Sequence, residues 1–320
     1  MPTRFDVTAI GEGGLRLSVP AGDRLETTTA LRAHVVGTEA NVLSSLARLG
    51  WRTAWVSAVP DNPLGRRVEN ELTSHGVALD HVVRIPGARL GTYFVEYGAA
   101  PRPTRVHFDR ANTAFTQLSP EMIDWDRVLD TRLIHLTGLT VPLSDSVRKV
   151  VDEAFTRANK KGVPVSFDVN FRALLWNCED AASALRTYIE RADILFCPHG
   201  DAKALLGFGP TAAEALDALC EISSAECIVM SAGEQGIIGR VGGRRVSAPA
   251  YPVDIVDRLG AGDGLAAGFL HAWLDHDLDN AAGLATAMAA LALAQHGEQV
   301  VTNREELADI MANPTTQLNR

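Results

Sequence analysis

The segment Asp254–Leu270, DIVDRLGAGDGLAAGFL, holds the residues best suited to chemistry. A β-branched run leads into Gly260-Ala261-Gly262-Asp263, and a helical pattern rich in Ala and Gly follows at once. Glycines at these positions let the backbone turn tightly and bring unhindered N–H groups to one point. The first-turn amides of a helix have no internal partner and carry partial positive charge, so such a terminus binds phosphate or another developing anion. A carboxylate in that position would repel the anion. Asp263 therefore reads as a base that takes a proton from an attacking hydroxyl while Gly260, Ala261 and Gly262 stabilise charge on the transferred group. The competing reading is a helix cap, a role that Asp often fills.

Four further segments carry polar residues with chemical potential. In Val36–Gly50, VGTEANVLSSLARLG, Gly37 precedes a helical pattern whose first turn holds Asn41. The Asn41 amide either donates to and accepts from substrate hydroxyls or lies on a solvated face. In Ser166–Trp176, SFDVNFRALLW, a buried-strand pattern ends in Asp168, Asn170 and Arg172. Polar groups at a strand's C-terminal end stand where open α/β sheets bind ligands. The Arg172 fork would hold a carboxylate or phosphate, or else form a structural ion pair. Arg102, Arg105 and Arg110 cluster locally and point to a small anionic ligand, although Arg102 and Arg105 also suit a solvated loop. Ser231-Ala232-Gly233-Glu234-Gln235-Gly236 follows a strand pattern, and its glycines suit either the rim of a nucleotide site or a plain hairpin.

These residues need a scaffold, and the chain's patterning supplies one. Short β-branched runs alternate with helical periodicity, which predicts a mostly parallel sheet flanked by helices. Strands are expected at 5–10, 53–58, 133–137, 163–169, 194–197 and 227–231. Helices are expected at 39–49, 64–75, 144–161, 181–191, 212–222, 262–274, 281–295 and 305–311. In the first of these helices, Val42, Leu43, Leu46 and Leu49 form one apolar stripe and Gly50 stops it. Two regions, 15–36 and 82–110, look like antiparallel strands, with TYFVEY at Thr92–Tyr97 the most strand-like piece. They would form a small β-lid over the sheet's C-terminal edge. All 320 residues are expected to form a single domain with the lid inserted in it, and Pro314–Arg320 a loose tail.

Composition narrows the function classes. The formal net charge of −9 argues against a constitutive nucleic-acid or anionic-membrane binder. The apolar stretch Ala281–Ala294 is shorter than the ~20 residues of a membrane span and reads as a buried helix. The opening residues, MPTRFDVTAIGEGG, lack an apolar signal-peptide core. The four cysteines show no CxxC spacing. A cytoplasmic protein with reduced thiols is expected. A dinucleotide-dependent dehydrogenase is excluded, because GEGGL replaces GxGxxG and no acidic residue follows at the end of a second strand.

The ordered set of motifs resembles the ribokinase-like (PfkB) family of carbohydrate kinases. It comprises GE near the start, GTEAN…LARLG, PDNPLG at Pro60–Gly65, the strand ending in DVN, SAGEQG and DRLGAGD, over roughly residues 5 to 312. Within that family the chain looks most like the 2-keto-3-deoxygluconate kinases. The shared pieces are GEGGLRLS, TYFVEY, DVNFRALLW and VVTNREEL at Val300–Leu307. The resemblance implies a Rossmann-like three-layer fold with a β-lid, and a homodimer formed through the lids. It implies transfer of the γ-phosphoryl group of ATP to a primary hydroxyl of a sugar acid, with Mg²⁺ and, as a further expectation, a monovalent cation; the alternatives are a kinase of the same family for a neutral sugar or nucleoside and a non-catalytic sugar-binding homologue. It also implies roles: Asp263 as base, Gly260, Ala261 and Gly262 as anion hole, and Gly37 and Asn41 as sugar-binding positions. Tyr93, Phe108, Arg110 and Arg172 would surround the sugar acid and its carboxylate, and Ser231, Gly233 and Gly236 would form the nucleotide-binding turn. The chain departs from the family pattern at Val36 for the first glycine of a GG pair, at Arg258 for Thr, and at Pro198 and Asp201 for the ends of NxxE. Phe108 stands where a tyrosine hydroxyl would be expected.

Overall fold

The computed structural model describes residues 3–98 and 101–313, so the expected tail lies outside the described residues. In chain order the strands are β1 (Phe5–Ile10), β2 (Gly14–Ser18), β3 (Arg32–Val36), β4 (Thr53–Pro60), β5 (Ala78–Ile85), β6 (Gly91–Glu96) and β7 (Arg105–Asp109). They continue with β8 (Thr131–Thr137), β9 (Val165–Asp168), β10 (Ile194–Phe196), β11 (Cys227–Ser231), β12 (Ile237–Val241) and β13 (Arg244–Ala248). Nine of them form one sheet in the order β13-β12-β11-β10-β9-β8-β1-β4-β5. It is parallel from β11 to β5, and β12 and β13 close one edge antiparallel.

β1 and β4 are buried at every position and β8 at every position but Arg132, as strands covered on both faces must be. One face packs against helices Asp145–Lys161, Cys178–Arg191 and Ala212–Ile222. The other packs against Thr38–Arg48, Pro63–Ser74, Ala261–Leu274 and Ala281–Leu293. The small-residue composition of Ala261–Leu274 has a packing cause. A Cβ at Gly264 would lie 2.8 Å from the Met288 carbonyl oxygen, and one at Gly268 would lie 2.3 Å from that of Leu284. Gly268→Ala is therefore expected to force the two helices apart and destabilise the protein by about 1–3 kcal/mol, read as a lowered urea midpoint.

The remaining strands form a four-stranded sheet in the order β3-β2-β6-β7. It consists of two antiparallel hairpins joined by a parallel pairing of β2 with β6. The lid is smaller than expected at its second segment. Val82–Ile85 belong to β5 and extend the main sheet, with Ser57 opposite Val82 and Pro60 opposite Ile85. That edge strand is half-buried without alternation, and its pattern carries no sign of which sheet it joins. The 3-10 turn at Gly233–Gln235, the hairpin β12–β13 and the helix His199–Leu206 were not among the expected elements. No helix among the described residues is long and apolar enough to cross a membrane.

Candidate active site

A cavity of about 520 Å³ opens between the C-terminal ends of the main-sheet strands and the underside of the lid. Glu12 reaches it from beyond β1, Asp168, Asn170 and Arg172 from β9 and its continuation, and Pro198 from beyond β10. The lid contributes Tyr93 and Phe108, and the loop before helix Ala261–Leu274 contributes Arg258 through Asp263. Every substrate-binding or catalytic position expected from the sequence lines this cavity except Asn41.

Gly260 is the N-cap of the helix, with φ of 91° in the left-handed region. A Cβ there would stand 2.8 Å from Glu298 Cα, so glycine is required on two counts. Ala261 and Gly262 line the cavity, and neither amide donates to a backbone acceptor among the described residues. Asp263 sits three residues past the cap and makes no capping bond, which removes the capping reading. Asp263 is buried, 7% exposed as a residue, and its carboxylate accepts a 2.7 Å hydrogen bond from Asn41 Nδ2. Burial raises its pKa well above the ordinary aspartate value, and the charges of Glu298 and Asp168 add to that, while the Asn41 bond and Arg172 oppose it. A carboxyl shifted in this direction is better matched to taking up a proton near neutrality.

Asn41 is fully buried, which removes the solvated-face reading, and it is not among the residues lining the cavity. Its Nδ2 protons go to Asp263 and, at 3.2 Å, to Glu298 Oε2. It ties the Asp263 and Glu298 carboxylates together.

The two expected carboxylate-binding arginines differ. Arg110 is already paired, with Nε 3.0 Å and Nη2 2.5 Å from Glu12 Oε2. Glu12 is closed on its other side by the Thr113 hydroxyl. Arg172 makes no ion pair among the described residues and donates only to its neighbour's carbonyl, which removes the structural ion-pair reading. Arg258 is likewise exposed and unpaired among the described residues. Tyr93 and Phe108 face each other across β6 and β7, ring centroids 5.5 Å apart, and the Arg110 guanidinium lies over Phe108.

Ser231, Gly233 and Gly236 lie outside this cavity. They form the turn between β11 and β12, where Ala232 N donates to Gly236 O. Gly236 has φ of 86°, and a Cβ there would collide with the Ala248 carbonyl at 2.1 Å. The hairpin reading accounts for that glycine. Gly37 lies at the cavity wall with φ of 157° and its Cβ position 2.4 Å from the Glu12 carbonyl, so it also serves close backbone approach. Asp201, which stands in for the glutamate of NxxE, accepts from the Phe171 amide at 2.9 Å.

Sequence reasoning missed several acids. Glu39 lines the cavity, buried, and accepts from the Thr137 and Thr140 hydroxyls at 2.6 and 2.7 Å; burial raises its pKa. Glu298 lines it too, and takes hydrogen bonds from Arg16 Nη1 at 3.1 Å and from the Tyr93 hydroxyl. Arg16 itself is fully buried and pairs with Asp257 at 2.5 Å. A lone arginine within an apolar lid strand was the available signal.

The pfkB family carbohydrate kinase model matches residues 13–305. A 2-dehydro-3-deoxygalactonokinase of Haloferax volcanii is 34% identical over 319 residues, covering 98% of this chain and 99% of the relative. A 2-dehydro-3-deoxygluconokinase of Thermoproteus tenax is 30% identical, covering 92% of this chain and 90% of the relative. The crystal structure of 2-dehydro-3-deoxygluconokinase from Thermotoga maritima superposes with a TM-score of 0.91 at 31% identity, over 97% of this chain and all of that one. Matches this complete span the lid as well as the helix Ala261–Leu274, and they make this chain a member of the pfkB family of carbohydrate kinases.

Proposed function

We propose that this chain transfers the γ-phosphoryl group of ATP to a primary hydroxyl of a 2-keto-3-deoxy sugar acid, 2-dehydro-3-deoxygluconate or its C4 epimer. The observation that carries the reading is the pairing of Asp263 with the open amides of its own helix terminus, in a cavity that also holds the unpaired Arg172. Asp263 accepts the hydroxyl proton as the substrate oxygen bonds to the γ-phosphorus and the β,γ-bridging oxygen departs on ADP. The amides of Ala261 and Gly262 hold the charge on the transferred group. Arg172, with the open face of Arg110, holds the sugar-acid carboxylate. Tyr93, whose proton is committed to Glu298, can only accept from a substrate hydroxyl there.

Family membership implies ATP with Mg²⁺. The residues fit the pair. The Gly262 amide has no backbone acceptor among the described residues and belongs to the cavity wall, where a phosphate could take its proton, and Asn170 Oδ1 is buried without a partner beside Asp168. Asn170 and Asp168 would hold the metal directly or through its water, since Mg²⁺ takes few protein ligands. Bound there, Mg²⁺ would neutralise phosphate oxygens. The lid's edge strands β3 and β7 each leave one side unpaired, which supports pairing of two copies through their lids.

The test is an ADP-release assay over the two keto-deoxy acids, fructose and ribose. A higher kcat/KM for a neutral sugar would overturn the reading. Arg172→Ala is expected to raise KM for the sugar acid about 10- to 100-fold, the equivalent of losing one charged hydrogen-bonded pair, with KM for ATP nearly unchanged.

A further inference from the structure

Glu298 has no role in the chemistry above, yet it stands at the junction of the lid, the anion-hole loop and the base. Its Oε1 accepts from Arg16 Nη1 and from the Tyr93 hydroxyl, both on lid strands. Its Oε2 accepts from Asn41 Nδ2. The second proton of that same Asn41 nitrogen goes to Asp263 Oδ2. The lid register makes this possible, because Arg16 on β2 lies directly opposite Tyr93 on β6 and both side chains reach the same carboxylate. Gly260 carries no side chain and lets the Glu298 backbone approach to where a Cβ would touch it.

Asn41 alone has two ways to lie. Its Nδ2 can face the carboxylates, or its Oδ1 can. Two carboxylates on one side select the first. Oδ1 is left buried without a partner, a cost that the orientation bears because two charge-assisted bonds outweigh one lost neutral one. A single carboxylate would select less firmly.

We propose that Glu298 is a positioning residue that fixes the Asn41 amide so that Asp263 is held by a donor and aimed at the substrate hydroxyl. The proposal deepens the kinase reading and rests on it. Glu298→Gln tests it sharply, because a carboxamide offers one acceptor where the carboxylate offers two. Its oxygen goes to Arg16 and Tyr93, and its NH₂ then faces Asn41. Asn41 turns its Oδ1 toward that NH₂, and Asp263 loses its donor. Arg16 keeps Asp257, so the lid retains its ionic anchor.

Glu298→Gln is expected to lower kcat about tenfold or more, as misplacement of a reacting group does, with KM for sugar acid and ATP within threefold of wild type as a rough bound. In an Asn41→Leu background the same change is expected to add nothing, since its effect runs through Asn41. Unchanged kcat, or losses that multiply independently in the double variant, would overturn the proposal. Should Glu298→Gln fail to fold, Glu298→Asp gives the same reading, because the shorter arm keeps its charge but withdraws from Asn41. Wild type inactive on every sugar would sink the kinase reading. An active wild type, a dead Asp263→Asn and a fully active Glu298→Gln would sink this proposal alone.

Discussion

Asp263→Asn is expected to lower kcat by about 10²- to 10⁴-fold, the range that a positioned general base contributes, with little change in KM for ATP. The substitution preserves size and can still hydrogen-bond Asn41, so binding survives and proton removal does not. The pH profile adds a second check. The side chain acts as a base only when ionised, and its folded pKa is raised by burial first and by Glu298 and Asp168 next. The acidic limb of kcat/KM in the wild type is therefore expected above the ordinary carboxylate range, with activity falling as pH drops through that raised value. In Asp263→Asn this limb should vanish from the residual activity. A coupled ADP-release assay reads both effects. Turnover within a few-fold of wild type, or an unchanged acidic limb, would remove Asp263 from its role.

The elements that place Asp263 were legible because their signals are local. Strands β1 and β11 fall on their expected bounds, and the helix after GAGD starts within one residue of expectation. Apolar runs, a left-handed glycine and a helix terminus each announce themselves within a few residues. Two kinds of feature were not legible. One is sheet membership: the run HVVRI at 81–85 reads equally as lid or main sheet, and only its pairing with β4 decides. The other is long-range side-chain pairing. Arg110 satisfies Glu12 from 98 residues away, and Arg16 reaches Glu298 across 282. Asn41 shows the consequence. Its place in the first turn beside Gly37 was read correctly, but its partners, Asp263 and Glu298, come from the far end of the chain, and no local signal announces them.

Arg16→Met is expected to destabilise the protein by about 3–5 kcal/mol, the cost of breaking a buried ion pair from one side. Arg16 is fully buried on lid strand β2, and its guanidinium is shared between Asp257 at 2.5 Å and Glu298 at 3.1 Å. Both carboxylates belong to segments that flank the helix terminus at Gly260: Asp257 precedes Gly260 by three residues and also receives the Leu259 amide, the Gly297 amide and the Tyr97 hydroxyl. Methionine fills most of the space of the aliphatic stem and removes the charge. Two carboxylates then remain buried next to each other with no cation. A drop in the urea midpoint at unchanged slope measures the loss. If the variant matched wild-type stability within about 1 kcal/mol, the value of an exposed ion pair, the lid would be held by its backbone pairing and the Arg16 cluster would have no structural part. If instead the gap appears, the lid and the loop Asp257–Gly260 are one electrostatic unit, and opening the lid must compete with the burial of that arginine.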